Sequence, residues 1–419
     1  MTLKKKIFFA VGPFALAALF IVVLLYSPLE FIKEPSEKKV HEAASSMSVN
    51  VLKGSEIKRE AMESGKYLPF FGSSELSRVN PFHPSVMAKK YDRSYEPFLL
   101  GAPGTQSLTH FFMLNSVKKP LENKKVVFII SPQWFVKKGV SDPMYSLFYS
   151  PIETYEWLVD LDETDQTDQY IAGRLLEFES VKSDTQLKKM LLKLKNGEEL
   201  SKADRRKAYY KYKRLRNEDL LFGQIGIVSK NKRIDKQATY LPNQYNFNEL
   251  DALAYKIGQE KTNNNPFEIS NGFYSNRIMP MKGRLKDSQK KFNYISSPEY
   301  ADFEAFLELL DKNNIDAMFF IPPVNKLWSD YTGLSTEMLD DFSKKINYQL
   351  TSQGFNNVVD FTDKRGEKFF MEDTIHIGWR GWLEMDTHLQ EFLKSNKKPD
   401  YKMNPELFFS KEWQTEQYK

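Results

Sequence analysis

Directly after Lys4-Lys5-Lys6, twenty residues from Ile7 to Tyr26 carry no charge. At 1.5 Å per residue, a helix of that length is about 30 Å long, the thickness of a bilayer's hydrocarbon core. This run must stand apart as a spanning helix while the rest of the chain folds beside it. A cleaved signal peptide has a shorter apolar core and a small-residue site after it. Here Ala15-Leu16-Ala17 lies inside the run, and Leu24-Leu25-Tyr26-Ser27-Pro28 offers no such site. The expectation is an uncleaved anchor over residues 7–26. The three lysines favour residues 1–6 in the cytoplasm and the body outside, although Lys33, Lys38 and Lys39 just beyond the span weaken that asymmetry.

The body reads as α/β. Residues 27–65 are polar and helix-prone, with Val51, Leu52 and Ile57 scattered among charges, which fits a stalk or outer helix. Five short apolar runs bounded by turn residues follow: Tyr67–Gly72, Pro97–Gly101, Lys125–Ser131, Ala317–Ile321 and Asn357–Phe361. Buried parallel strands have this form. Helical patterns lie between them. Ser297-Pro298-Glu299 offers a cap with proline at the first helical position, then a core stripe of Phe303, Phe306, Leu307 and Leu310. Alternation of this kind predicts a doubly wound parallel sheet. Residues 136–290 break it, being long, polar and helical in propensity. They are expected to form an insertion between core segments 66–135 and 291–419.

Charge is concentrated in that insertion. From Lys182 to Arg216 there are thirteen Lys or Arg against four Asp or Glu, while the whole chain is only +5. Arg205, Arg206, Lys207, Lys211 and Lys213 interleave with Tyr209, Tyr210 and Tyr212. A solvated helix face explains such a run; so does a surface that meets polyphosphate or anionic headgroups. No nucleic-acid motif accompanies it, and nucleic acid is not expected as a partner. The chain contains no cysteine, which excludes thiolate catalysis, disulfides, a lipid-modified cysteine anchor and cysteine-bound metal. No metal and no cofactor are expected, since no cluster has ligand spacing and no phosphate-binding glycine loop is present.

Two stretches carry the chemistry. Tyr67-Leu68-Pro69-Phe70-Phe71 runs into Gly72-Ser73-Ser74-Glu75, a strand that breaks at glycine and turns toward a helix at Glu75-Leu76. Strand ends of this kind hold ligand-facing groups, and a helix N-terminus there would favour a hydroxyl nucleophile. Two serines that merely cap a helix explain the stretch equally well. Far downstream, Glu372-Asp373-Thr374-Ile375-His376-Ile377-Gly378-Trp379 places an acid three residues before a histidine. Of five histidines (His41, His83, His110, His376, His388), only His376 has that spacing followed by Gly-Trp. A serine nucleophile needs a base, and the base needs a group that fixes its tautomer. Ser74, His376 and Asp373 fit those roles, with Ser73 as the alternative nucleophile.

Gly-Ser-Ser-Glu early, Asp-x-x-His late and short strands between resemble the SGNH (GDSL-type) hydrolases. More narrowly, Phe71-Gly-Ser-Ser-Glu-Leu76, Phe98-Leu-Leu-Gly-Ala-Pro-Gly104, Phe128-Ile-Ile-Ser-Pro-Gln-Trp134 and Ile375-His376-Ile377-Gly378-Trp379 are similar to the DltD family of teichoic acid D-alanylation in Gram-positive bacteria. The resemblance spans nearly the whole chain. It implies an SGNH-like core and a Ser74 nucleophile, with oxyanion donors at the Ser74 N–H and Gly104. The superfamily's third-block asparagine has no clear counterpart, and Gln133 stands nearest its place. Trp134, Trp328, Trp379 and Trp382 either line a pocket or pack the core. Implied partners are lipoteichoic acid, the membrane, a membrane-bound O-acyltransferase and the D-alanyl carrier protein. The implied reaction is D-alanyl transfer to poly(glycerol phosphate); an esterase or thioesterase, or a scaffold without catalysis, are the alternatives.

Overall fold

The computed structural model describes residues 2–26 and 33–415. The first part of the expected stalk, residues 27–32, lies outside the described residues. Helix α1 (Leu3–Tyr26) extends the uncharged run by the three lysines, is exposed along nearly its whole length, and is long and apolar enough to cross a membrane. From Glu37 onward there is no detached stalk. Three short helices, ending with α2 (Glu56–Glu63), bury Val40, Ala43, Val51, Leu52, Ile57, Ala61 and Met62 against the body. Even Lys58 of α2 is fully buried, paired with Glu153 and donating to the Leu52 carbonyl at 2.9 Å.

Strands β1 (Tyr67–Phe71), β2 (Glu96–Leu100), β3 (Lys125–Ile129), β4 (Asp316–Ile321) and β5 (Val358–Asp360) form one parallel sheet in the order β2-β1-β3-β4-β5. Leu100, Phe71, Phe128, Phe319 and Val358 stand in one register row across it. The helices that position the site are α3 (Pro84–Lys90), α4 (Ser107–Leu121), α5 (Pro151–Asp160), α6 (Lys202–Phe222), α7 (Asn231–Ala238), α8 (Glu299–Lys312), α9 (Thr336–Thr351) and α10 (Trp379–Lys394). The phenylalanine row meets Phe303 and Phe306 of α8, with Phe306 ring centroids 5.2 Å from Phe71 and 4.6 Å from Phe128. On the opposite face Phe320 stacks on Phe361, which touches His388 of α10. Helices on both faces explain why the strands are apolar over most of their length, with Glu96, Lys125, Asp316 and Asp360 confined to their ends. The α8 stripe is fully buried, and Pro298 sits one position earlier than expected, with Ser297 Oγ accepting the Glu299 N–H at 3.1 Å. Between β3 and β4 the described chain is helical, without a strand. In a sheet of this order the chain reverses direction between β1 and β3, and ligands bind outside the strand carboxyl ends there.

Candidate active site

At that reversal Gly72 closes β1, and the chain turns into a single 3-10 turn, Ser74–Ser77, in place of the expected longer helix. Glu75 folds back on the strand end, where its Oε1 accepts the Ser73 N–H. A Cβ at Gly72 would lie 2.4 Å from that oxygen, so a side chain at position 72 would displace the Glu75 carboxyl from the strand end. One such turn contributes little helix dipole. The loop after β2 is pressed against the same point. A Cβ at Gly101 would stand 1.9 Å from the Gly72 carbonyl oxygen, which accepts from His110 Nε2 at 2.8 Å and has Thr105 Oγ1 at 2.8 Å. Burial lowers the His110 pKa to about 3, which keeps that imidazole neutral with its proton on Nε2.

A second loop comes from the far end of the chain. The Met371–Ile377 bridge and the Glu372 N–H to His376 carbonyl bond of 2.9 Å fold residues 371–377 into a tight hairpin. Asp373 Oδ1 accepts the N–H groups of Ile375 and His376 at 3.1 Å, which fixes the turn from within. The spacing of three residues is therefore what lets the carboxylate both shape the loop and reach the ring. His376 Nδ1 lies 2.8 Å from each Asp373 oxygen, and His376 Nε2 lies 2.6 Å from Ser74 Oγ. With the proton on Nδ1 facing the carboxylate, Nε2 is free to accept from the serine. Asp373 is fully buried, which by itself pushes its pKa up. His376, the Arg78 guanidinium and the Ile375 N–H outweigh burial and hold it below the usual value.

Arg78 was not legible in the sequence. It ends the 3-10 turn, pairs with Asp373 Oδ2 at 2.9 Å and lies over the Phe273 ring at 5.5 Å. Asn80, two residues on, donates to Glu372 at 3.0 Å, so the serine loop and the histidine loop are joined twice. The two serines differ in their surroundings. Ser74 is partly exposed, whereas Ser73 is buried and its Oγ accepts the Ser74 N–H at 2.5 Å. That bond also engages the first expected oxyanion donor. Gly104 lies in the loop tied to Gly72, at φ +100, where any side chain would be strained and would strike Met144. Gln133 follows β3 in the turn Pro132–Trp134, with its side-chain oxygen buried and without a hydrogen-bond partner among the described residues. The four tryptophans are buried; Trp134 packs on His110 and Trp382 on His83.

The basic residues of α6 take no part in this cluster. Arg205 donates to the carbonyls of Leu161, Leu200 and Asp162 and pairs with Glu199. Lys211 approaches Asp184 at 3.7 Å, and Lys213 lies over the Tyr209 ring. Arg206 and Lys207 are exposed and make no ion pair among the described residues.

A serine loop at the end of the first strand and an Asp-x-x-His loop just before the last long helix thus meet at one sheet edge. The sequence model of the DltD family, described as DltD protein, matches residues 44–394. The chain belongs to the DltD family. Protein DltD of Lacticaseibacillus rhamnosus is 41% identical over 417 residues, covering 98% of this chain and 97% of that protein. Protein DltD of Bacillus subtilis (strain 168) is 33% identical, with 94% and 99% covered, and that of Staphylococcus aureus is 30% identical, with 91% and 95% covered. Both loops of the candidate site, and α6, fall within the residues that the family model matches.

Proposed function

We propose that this DltD-family chain transfers D-alanyl groups through Ser74 to the hydroxyls of lipoteichoic acid. As a member of the family it serves teichoic acid D-alanylation. The observation that carries the serine mechanism is the 2.6 Å contact between Ser74 Oγ and His376 Nε2. His376 removes the Ser74 proton as Oγ attacks the D-alanyl carbonyl, then gives that proton to the departing group. In the second half, a polymer hydroxyl loses its proton to His376 and attacks the acyl carbonyl, and His376 returns that proton to Ser74 Oγ as its bond to the acyl group breaks. Asp373 holds the Nδ1 proton throughout and faces the imidazolium that forms. Gly104 and Gln133 are the candidate oxyanion donors, and the Ser74 N–H joins them once the substrate oxygen replaces Ser73 Oγ. The anchor α1 holds the body at the outer face of the membrane, with residues 1–6 in the cytoplasm, where the polymer and the membrane-bound O-acyltransferase of the pathway are met.

Hydrolysis is the second reading, favoured by one feature. Ser74 is partly exposed, so water reaches an acyl-enzyme unless the acceptor or a partner covers it. Intact-mass measurement after incubation with pathway partners tests both. An adduct of one D-alanyl residue on wild type, absent from Ser74→Ala, supports transfer. Release of free D-alanine without polymer product supports the hydrolase. No adduct and no Ser74 dependence would sink the serine mechanism.

A further inference from the structure

At the end of α6 the chain reads Phe222-Gly223-Gln224-Ile225-Gly226-Ile227-Val228. Phe222, Ile225 and Val228 are 44%, 67% and 72% exposed, and Val49 beside them is 40% exposed. This is no loose loop. Asn50 Nδ2 donates to the carbonyls of Gly223 and Ile225 at 2.6 and 2.8 Å, and the Val228 N–H donates to Ser48 Oγ at 3.3 Å. Gly226 makes the turn at φ +74. The backbone is thus held in a shape that presents large apolar side chains outward, which marks an interaction site.

The neighbourhood of this patch says what it meets. Helix α6 packs on the last turn of α1, and Asn217 Nδ2 donates to the Leu25 carbonyl at 3.1 Å. That carbonyl is one of the terminal group a helix cannot satisfy itself, so α6 caps the anchor where its apolar run ends. Phe222 lies five residues further along α6, about 7.5 Å of helix rise. The patch therefore stands beside the point where a membrane-spanning helix leaves hydrocarbon. Exposed Lys232 follows it in sequence, complementary to headgroup phosphates.

We propose that Val49, Phe222, Ile225 and Val228 form a second membrane contact, seated in the interfacial layer of the bilayer next to α1. Apolar side chains accompanied by a cation are what that layer accepts. The contact bears on the site, because α7 follows the loop directly and Arg233 Nε donates to the Val79 carbonyl at 3.0 Å, in the segment that continues from Ser74. Two points on the membrane, the anchor and this patch, fix the height and tilt of the Ser74 edge where one helix would leave the body free to swing. The inference does not depend on the chemistry at Ser74.

The chain's lack of cysteine makes the test direct. Ile225→Cys, Val228→Cys and, as a control with exposure like Phe222, Leu192→Cys are labelled with a polarity-sensitive fluorophore. Each full chain is then reconstituted in phosphatidylglycerol vesicles containing brominated lipid. Blue-shifted emission and several-fold stronger quenching at 225 and 228 than at 192 are expected, unchanged in about 0.5 M salt because the contact is apolar. Hydrogen exchange on the unlabelled chain, with amides of 222–228 slowed by vesicles relative to detergent, removes any influence of the dye. Equal emission and quenching at all three positions overturns the proposal. So does shielding that appears only when other membrane proteins are present, which would assign the patch to a protein partner.

Discussion

At the carboxyl end of β1, side chains separated by 302 residues of sequence converge within hydrogen-bond distance. Along α6, cations adjacent in sequence diverge to separate tasks. Arg205 ties loop carbonyls, Arg216 grips Glu56 at 2.9 Å, and Arg206 and Lys207 face solvent. A run of like charges describes a composition, whereas Asp-x-x-His describes a geometry. Only the second constrains where atoms must lie.

The sharpest way to break this contrast is to remove the groups that converge. Ser74→Ala and His376→Ala are each expected to lower polymer D-alanylation by about 10³-fold or more, with the double variant no worse than either single one. Arg206→Ala with Lys207→Ala should leave turnover within about threefold, since surface charges act mainly on encounter. Comparable losses in both sets would make the two regions functionally equivalent and end the distinction.

Arg78 sharpens it. Arg78→Ala leaves Ser74 and His376 in place but removes one of the groups that hold Asp373 below its ordinary pKa. Turnover should fall about ten- to a hundredfold, the cost of a misplaced orienting group. The sign of the pH effect follows from the depressed carboxyl. It stays ionised down to its folded pKa, so raising that pKa means the stability the carboxylate contributes is lost at a higher pH on acidification. Arg78→Lys should restore part of the rate. An unmoved midpoint of acid unfolding would reduce Arg78 to a packing residue.

The strands were legible because buried parallel strands are continuous apolar runs, and Phe71, Phe128 and Phe319 each sit in one. Ser74, His376 and Asp373 were legible because a break at Gly72 and a spacing of three are local features. Arg78 was not, since nothing near it in sequence announces a partner at position 373. Nor was the packing of residues 37–63 and of α6. Beside apolar residues such as Val40, Ile57 and Met62, their inward faces carry Lys58, Arg59, Tyr212 and Arg216, paired with Glu153, Glu156 and Glu56, so the sequence reads as a polar surface. Charge there serves burial, which a count of lysines and arginines cannot show.

Glu304 extends the comparison to buried carboxyls. Like Asp373 it is fully buried, but its hydrogen-bond partners are the side-chain amides of Gln349 and Gln353, at 2.8 and 2.9 Å. Burial therefore prevails and raises its pKa to about 8. The sign is opposite to that of Asp373. Below about 4.5 the carboxyl is neutral folded or unfolded, and stability is lost as pH rises from there through about 8. Glu304→Gln should raise Tm by a few degrees at about pH 9, with little change near pH 5. Parallel pH slopes for the two proteins would show that Glu304 stays charged inside the fold.

The smallest expected effect separates the cations of α6 from one another. Arg205→Ala should cost about 1–2 kcal/mol of stability, because it leaves the Leu161 carbonyl without its guanidinium donor. Its effect on binding poly(glycerol phosphate) should be no more than that unfolding explains. Arg206→Ala with Lys207→Ala should leave Tm unchanged and weaken polymer binding about two- to fivefold at low salt, a difference that vanishes as ionic strength rises. If Arg205→Ala instead weakens binding at unchanged Tm, the helix acts as one polyanion surface after all. The sorting of its charges into structural and solvent-facing groups would then describe contacts within the fold and nothing about how the helix meets a polymer.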